Sequence, residues 1–196
     1  MEIAKGIDAQ KYLDLKLDQN IEADWQTAIS YLEQRLTERY VDAADTLIGS
    51  ESHLPPDQKK FGFTIIALDC MLLETIGAFY LGLTDTRKYG SKNVFTCFLT
   101  NRQQFKSDFD GTKAELFYQD FRCGILHQTE IKGDGIVWSV GQLVSEVGNS
   151  LKINRTEFHE RMKKELEIYI KTLKDPAAST DERPRFKKKM DFICRK

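Results

Sequence analysis

The sequence predicts a mostly α-helical protein, a helical bundle built as a single domain. Three features of the 196-residue chain indicate this fold: apolar residues recur every three or four positions over long segments, one central segment is apolar on more than one face, and no internal repeat interrupts them. Hydrophobic residues make up 41% of the chain and charged residues 30%, a composition typical of a globular protein with a sizeable core.

The first half of the chain contains two long predicted helices. Residues 21–48 form an amphipathic helix, and its apolar stripe comprises Trp25, Ile29, Leu32, Leu36, Ala43 and Leu47. After the segment "GSESHLPPDQ", Asp57 is expected to cap a second helix over about 58–83. That helix is apolar on more than one face, so we place it in the middle of the bundle.

This apolar helix approaches the length of a membrane span, but Asp69 and Glu74 lie near its centre. Each would cost about 3 kcal/mol inside a bilayer, which favours a core helix over a membrane span.

Two shorter helices are predicted next. The segment "VFTCFLTNRQQF" forms the first, with Val94, Phe98 and Phe105 facing inward. The next helix begins at Thr112, which forms a capping box with Glu115. Its inward positions are Ala114, Phe117, Phe121 and Ile125. It should end near His127, because the turn sequence "KGDG" follows shortly afterwards.

The last third of the chain combines a small strand region with a long helix. Residues 136–153 are rich in strand-forming side chains, and Gly148-Asn149 can form the turn of a β-hairpin. Asn154 is expected to cap the final long helix, which Pro176 ends. We therefore predict a single helical domain over residues 1–175 and a basic C-terminal appendage over 176–196.

The appendage "RPRFKKKMDFICRK" is basic, and apolar residues lie between its charges. Its candidate nucleic-acid contacts are Arg185, Lys187, Lys188 and Lys189, on an RNA-contacting arm or a short amphipathic helix. The alternative is a solvated tail that closes on the core. The net charge of −1 gives no overall attraction for nucleic acid, so any such binding would be local.

The chain lacks the sequence motifs of several functional classes. The chain contains no GxxxxGK[ST], GxGxxG, HExxH or GxSxG pattern. The cysteines Cys70, Cys97, Cys123 and Cys194 show no metal-ligand spacing, so we predict reduced thiols, no metal, no cofactor and a cytoplasmic protein. The N-terminus has no export-signal organisation. Among the histidines, His159 lies in a charged segment and is predicted to be solvated, and His53 is assigned a generic polar role in a loop.

Arg122 and His127 are the candidate functional residues, because they lie in an otherwise apolar helical stretch, "FYQDFRCGILH". Five residues along an α-helix correspond to about 140° of rotation and ~7.5 Å of rise, so the two side chains do not share a face as i and i+4 partners do. They converge if the helix ends between them, or if two copies of the chain meet about a two-fold axis. Gly124 permits close backbone approach, which suits the second arrangement. In the alternative without chemistry, Arg122 pairs with Glu74 or Asp69 and His127 caps its helix.

The Arg-x4-His motif "FRCGILH", near the end of a bundle helix, resembles the HEPN superfamily over residues 58–135. The resemblance implies a dimer that cleaves RNA without metal at a composite site, leaving a 2′,3′-cyclic phosphate and sparing DNA. It implies that Arg122 holds the scissile phosphate and that His127 is the general base or acid. Cys123 stands where many catalytic members carry Asn, Asp or His. Glu74, or alternatively Asp69, would support the site as a partner of Arg122 or His127.

The expected function is therefore a metal-independent endoribonuclease, a homodimer that acts in bacterial defence or in a toxin–antitoxin pair. Its expected partners are RNA, with tRNA as one candidate, and an antitoxin or other regulatory protein. The alternative is a catalytically inactive HEPN-like module that binds nucleotide, RNA or a protein partner.

Overall fold

The computed structural model describes residues 1–128 and 130–195 and confirms a mostly helical fold. The helices are α1 (Ala9–Leu13), α2 (Glu22–Leu36), α3 (Asp42–Ser50), α4 (Gly62–Tyr80), α5 (Thr86–Tyr89), α6 (Ser91–Asn101), α7 (Gly111–Leu116), α8 (Gly124–Gln128), α9 (Arg155–Lys174) and α10 (Glu182–Cys194). The first π segment (Thr37–Val41) joins α2 to α3, and the second π segment (Phe117–Cys123) joins α7 to α8. The strands are β1 (Glu2–Ala4), β2 (Ile7–Asp8), β3 (Ile136–Trp138), β4 (Val144–Val147) and β5 (Ser150–Asn154).

Helix α4 forms the centre of the bundle, as its sequence predicts. It packs against α3, α6, α9 and α10, and its buried side chains include Ile66, Leu73, Ile76 and Phe79. By length and composition it could also cross a membrane, but 56% of its most apolar 18-residue window is buried inside this fold. In this structure α4 is a core helix.

Stacked phenylalanines fix the second π segment against α9. The ring of Phe117 lies parallel to that of Phe158, with centroids 5.0 Å apart, and to that of Phe121, with centroids 5.4 Å apart. All three side chains are fully buried. Because Phe121 faces the core, its neighbour Arg122 is directed towards the boundary of the bundle.

The first π segment changes which residues of the long N-terminal helix face the core. A regular helix would continue the stripe from Leu36 to Ala43 and Leu47, both of which are only half buried. The buried positions are instead Val41, five residues after Leu36, and Ala44. A π turn carries i to i+5 hydrogen bonds, so it advances the inward face by one residue.

The predicted hairpin is confirmed and belongs to a three-stranded sheet with the order β3-β5-β4. Strands β4 and β5 are antiparallel, and Val147 pairs with Ser150 across the Gly148-Asn149 turn. Gly148 has φ of +53°, a conformation that favours glycine. The parallel pairing of β3 with β5, and the N-terminal β1–β2 pair, were not predicted.

The predicted cap of α4 is wrong. Asp57 lies in a short 3₁₀ turn, and no side chain caps α4. The backbone N–H groups of Lys60 and Phe61, just before the helix, donate to the carboxylate of Glu51, which also forms a buried ion pair with Arg155. Glu51 lies nine residues before Lys60, outside the turn itself, and Arg155 is distant in sequence, so local capping patterns do not identify either residue.

The predicted cap of the Arg122 helix is also wrong, by two residues. Helix α7 begins at Gly111, and the side chain of Asp110 accepts a hydrogen bond from the Lys113 N–H. The cap of α9 is confirmed, since the Asn154 side chain accepts from the N–H groups of Thr156 and Glu157.

The segment predicted as a basic appendage contains helix α10, whose apolar residues enter the common core. Phe186 and Met190 are fully buried, and α10 contacts α4, α1 and α9. The ring of Phe186 lies 6.0 Å from those of both Trp25 and Phe79. This segment has the amphipathic form that was one of its predicted alternatives.

His159, predicted to be solvated, is fully buried. Its Nδ1 lies 2.8 Å from Oδ1 of Asp69, itself buried on α4, and its Nε2 lies 3.4 Å from Oδ1 of Asp45. Burial raises the pKa of Asp69 to about 6 despite the opposing effect of His159. Burial also opposes the charge on His159, but the hydrogen bond and charge of Asp69 raise its pKa above the ordinary value. Its charged sequence neighbours concealed a position on the face of α9 that packs on α4.

We expect this pair to make the protein less stable as the pH rises. Both pKa values are higher in the folded chain than in the unfolded chain, so the folded state binds protons more tightly. The contribution of Asp69 is lost between pH 3.8 and about 6, and that of His159 is lost above pH 6.5. Urea unfolding at about pH 5 and about pH 8 should therefore show a smaller pH effect in the variant Asp69→Asn/His159→Gln than in the wild type.

The exposed pair Glu33–Lys174, which joins α2 to α9, provides the control. Glu33→Gln/Lys174→Gln should leave the pH effect unchanged. Asp69→Ala, which removes one partner of the buried pair, should cost about 3–5 kcal/mol. Equal pH effects in the wild type and the Asp69→Asn/His159→Gln variant would contradict this role for the pair.

Candidate active site

Arg122, His127 and Glu74 form a hydrogen-bonded group where the second π segment and α8 meet α4. Nη1 of Arg122 lies 3.0 Å from Nε2 of His127, and Nη2 of Arg122 donates to Oε2 of Glu74 at 3.0 Å. The side chains of Arg122 and Glu74 are 16% and 18% exposed, while His127 is exposed. A held guanidinium therefore contacts an imidazole that solvent can reach.

The π turn explains how side chains five residues apart converge within one chain. Arg122 lies in the second π segment, and His127 lies in α8 directly after it. The wider turn reduces the rotation of about 140° that a regular helix would place between them. Tyr118 and Cys123 have the same spacing and also interact, and burial together with the Cys123 thiol raises the pKa of the Tyr118 phenol.

Glu74 uses both carboxylate oxygens. While Oε2 pairs with Arg122, Oε1 accepts hydrogen bonds from the hydroxyls of Ser91 at 2.6 Å and Thr86 at 3.0 Å. These hydroxyls belong to the first residues of α6 and α5. A carboxylate in an apolar helix requires such donors to offset its desolvation.

The charge of Arg122 is stabilised within the site. Burial opposes this charge, but the hydrogen bond and charge of Glu74 raise the pKa of the guanidinium above its ordinary value. Its Cζ also lies 5.6 Å from the centroid of the Tyr118 ring. Because a guanidinium can only donate, Nε2 of His127 must accept, which places the ring hydrogen on Nδ1.

The structure distinguishes between the two predicted acidic partners. Glu74 contacts Arg122, whereas Asp69, five residues earlier on α4, faces α9 and pairs with His159. Cys123 is half buried beside Tyr118.

The backbone of Gly124 lies close to the loop that follows α8 in the same chain. A Cβ added at Gly124 would collide with the carbonyl oxygen of Glu130 and would lie 3.4 Å from Cα of Ile131. The loop is held there by the hydrogen bond from the Lys132 N–H to the Asp120 carbonyl at 3.1 Å. Gly124 thus serves packing within one copy, and this contact is no evidence for a second copy.

The predicted nucleic-acid contacts on α10 differ in their partners within the fold. Arg185 donates to the Tyr80 carbonyl, and Lys187 pairs with Asp18 and Asp191. Lys188 is exposed, and Lys189 donates to the Thr84 carbonyl. Of these four, Lys189 lines a cleft that also includes Glu74.

Comparisons of the chain with protein-family models, with curated proteins and with solved structures gave no match. Within residues 1–128 and 130–195, no group of three or more His, Cys, Asp or Glu side chains is arranged to hold a metal ion. The site geometry must therefore carry the functional argument.

Sequence reasoning missed the residues that hold the site together. Thr86 and Ser91 lie in the polar loop "TDTRKYGSKN". The only signal was that the hydroxyl residue Ser91 stands three residues before the predicted helix start at Val94. Tyr118 was part of the aromatic-rich helix but carried no distinguishing pattern. The π turn that brings Arg122 to His127 and Tyr118 to Cys123 leaves no periodic signature in so short a segment.

We expect Gly124→Ala to destabilise the protein by about 1–3 kcal/mol, the range typical of overpacking. The new methyl would displace the backbone at Glu130, and His127 would shift with the loop. Urea unfolding measures the change. Gly49→Ala is the control, because Gly49 is an exposed helical residue whose added Cβ meets nothing within 4 Å. That variant should be neutral or up to about 1 kcal/mol more stable. Equal effects of both substitutions would show that the loop does not constrain Gly124.

Proposed function

We propose that this protein is an endoribonuclease whose site consists of Arg122 and His127. The contact between Nη1 of Arg122 and Nε2 of His127 carries the proposal. It places a phosphate-binding group beside a group that can transfer protons, the two functions that RNA cleavage through the 2′-hydroxyl requires. The Arg-x4-His motif on a helical bundle, which resembles the HEPN superfamily, supports the same activity.

In the proposed reaction, a phosphate of the RNA replaces His127 as the acceptor for Nη1 of Arg122. Nε2 of His127 is then free to take the proton of the adjacent 2′-hydroxyl. O2′ attacks phosphorus, the P–O5′ bond breaks, and the leaving O5′ takes a proton from an acid. The products are a 2′,3′-cyclic phosphate and a 5′-hydroxyl, and Arg122 stabilises the negative charge that develops on phosphorus oxygens. DNA lacks the nucleophile and is not cleaved.

The leaving oxygen requires a second proton-transfer group, and His127 of a second copy would supply it. We therefore propose a homodimer with a composite site. An apolar side chain in the motif supports this arrangement: Leu126, next to His127, is 38% exposed. Contact between copies would cover it.

The proposed reaction uses side chains alone and needs no metal or cofactor. We place the enzyme in the cytoplasm, in bacterial defence or as a toxin controlled by an antitoxin or another regulatory protein. RNA is the proposed substrate, with tRNA as one candidate. The second candidate function, a catalytically inactive module that binds RNA, nucleotide or a protein, becomes the conclusion if RNA binds but stays intact.

Purified protein should cleave total tRNA or a structured RNA in the presence of EDTA and leave cyclic phosphate ends. His127→Ala should slow cleavage by about 10²–10⁴-fold, the range for loss of a general acid or base. Arg122→Gln should slow it by about 10²–10³-fold through lost charge stabilisation. Gel analysis of labelled RNA, with end-group determination, measures both.

His53→Ala is the matched histidine control, since His53 is exposed in a loop remote from the motif sequence. It should cleave at the wild-type rate. Circular dichroism and size-exclusion chromatography must show that each variant keeps its fold and oligomeric state. Full activity of His127→Ala, or products with 3′-hydroxyl ends, would refute the proposed chemistry.

A further inference from the structure

A cleft of about 480 Å³ opens beside Glu74, between α2 with the first π segment, α4 and α10. We call it the Arg35 cleft, and define it by Arg35, Tyr40, Met71, Glu74, Lys189 and Phe192. Its volume falls within the range of about 300–1,000 Å³ typical of small-molecule sites. Because Glu74 both lines this cleft and holds Arg122, the cleft adjoins the proposed cleavage site.

Arg35 contributes a positive charge to this cleft. Its Nη1 donates to the backbone carbonyl of Ile3 at 2.7 Å, and no ion pair joins it to a carboxylate in the described part of the chain. Burial, and next the neighbouring charge of Arg39, lower the pKa of Arg35. A guanidinium so placed favours an anionic ligand, since an anion would relieve both effects.

The acidic side chains of the cleft do not cancel this attraction. Glu74 is paired with Arg122, and Asp85 accepts a bidentate pair of hydrogen bonds from Arg87. Each carboxylate is thus matched by a guanidinium other than that of Arg35. The cleft also receives Lys189, whose Nζ donates to the carbonyl of Thr84.

Aromatic and apolar surface accompanies these charges. The half-buried rings of Tyr40 and Phe192 line the same cleft, together with Leu36, Ala78 and Ile193. Aromatic side chains beside cations are the combination that binds single-stranded nucleic acid, where bases stack on rings and phosphates meet arginine or lysine.

We propose that the Arg35 cleft binds the nucleotide next to the scissile phosphate of RNA, with Arg35 on its phosphate and its base against Tyr40 or Phe192. This inference rests on the proposed nuclease function. It gives the substrate a second anchor beside Arg122 and restricts it to single-stranded RNA, since a paired and stacked base cannot enter such a cleft.

The test measures both binding and cleavage, so that the two proposals can fail separately. Isothermal titration follows the binding of AMP to the wild-type protein, to Arg35→Gln and to His127→Ala. Arg35→Gln should weaken AMP binding by about 10- to 100-fold, the range for a hydrogen bond to a charged group, and should raise KM for RNA with little change in kcat. His127→Ala should bind AMP normally.

Ribose 5-phosphate and inorganic phosphate distinguish the contribution of the base to binding from that of the phosphate. Both should bind more weakly than AMP, by roughly 5- to 150-fold, because they cannot stack on an aromatic ring. Tyr40→Ala and Phe192→Leu test the rings in the same way. At least one of these two variants should weaken AMP binding without affecting ribose 5-phosphate.

Arg39→Gln is the matched control for Arg35→Gln. Arg39 lies four residues later, and its Nη2 also lies 3.5 Å from the carbonyl oxygen of Ile3, but it does not line the cleft. It should retain AMP binding, whereas equal losses in both variants would assign the effect to anchoring of β1 and overturn the proposal. Arg35→Lys, which keeps the charge, provides a second test should Arg35→Gln unfold.

Cleavage of RNA without AMP binding, and with KM unchanged in Arg35→Gln, would overturn the cleft assignment and leave the nuclease intact. AMP binding that depends on Arg35 without any RNA cleavage would support the cleft as a nucleotide site and refute the nuclease. Equal affinity for AMP and inorganic phosphate would overturn the assignment of a nucleotide to the cleft.

Discussion

The carboxylate of Glu74 is the interaction on which the candidate site depends. It lies in the most apolar helix of the bundle, and it is stabilised there by Arg122 on one oxygen and by the hydroxyls of Ser91 and Thr86 on the other. These donors come from three segments that are separate in sequence. Glu74 therefore joins α5, α6 and the second π segment to α4, and the same contacts that satisfy its charge fix the position of the arginine.

The two π segments depart from regular α-helical geometry, and each is connected with Glu74. Arg122 of the second segment pairs with Glu74, and Tyr40 of the first lines the cleft that Glu74 also lines. In the second segment, the five-residue spacing brings Arg122 to His127 and Tyr118 to Cys123. Around the first, Arg35 and Tyr40 have the same spacing and line one cleft. π turns are frequent at functional sites, and these two segments supply Arg122 and Tyr40, one to the candidate site and one to the adjoining cleft.

The sequence was sufficient for the long helices and for singling out Arg122 and His127, which the structure brings into contact, because each has a local signal. Helix α4 is long and apolar, Asn154 starts a periodic segment, and a charged residue within an apolar helix is unusual by composition alone. The features that the sequence does not predict are those determined by tertiary contacts. His159 has charged neighbours yet faces α4, Glu51 pairs with Arg155 from a distant part of the chain, and β3 pairs in parallel with β5. Regular 3.6-residue periodicity also cannot anticipate a π turn, which explains why Arg122 and His127 did not seem to share a face.

The unequal environments of the partners of Arg122 suggest how the site would respond to substrate. Glu74 is charged, largely buried and held by two hydroxyls, so breaking its pair with Arg122 would leave an uncompensated charge in the bundle. His127 is neutral in its contact with Arg122 and is exposed, so its hydrogen bond can be exchanged at little cost. An incoming phosphate brings a negative charge, so its hydrogen bond to the Arg122 guanidinium would also be an ion pair, which the bond to the neutral imidazole is not. In the proposed reaction, the phosphate would therefore displace His127 rather than Glu74. The same exchange that binds the phosphate frees Nε2 of His127 for proton transfer, which couples substrate binding to activation of the base in the proposed reaction.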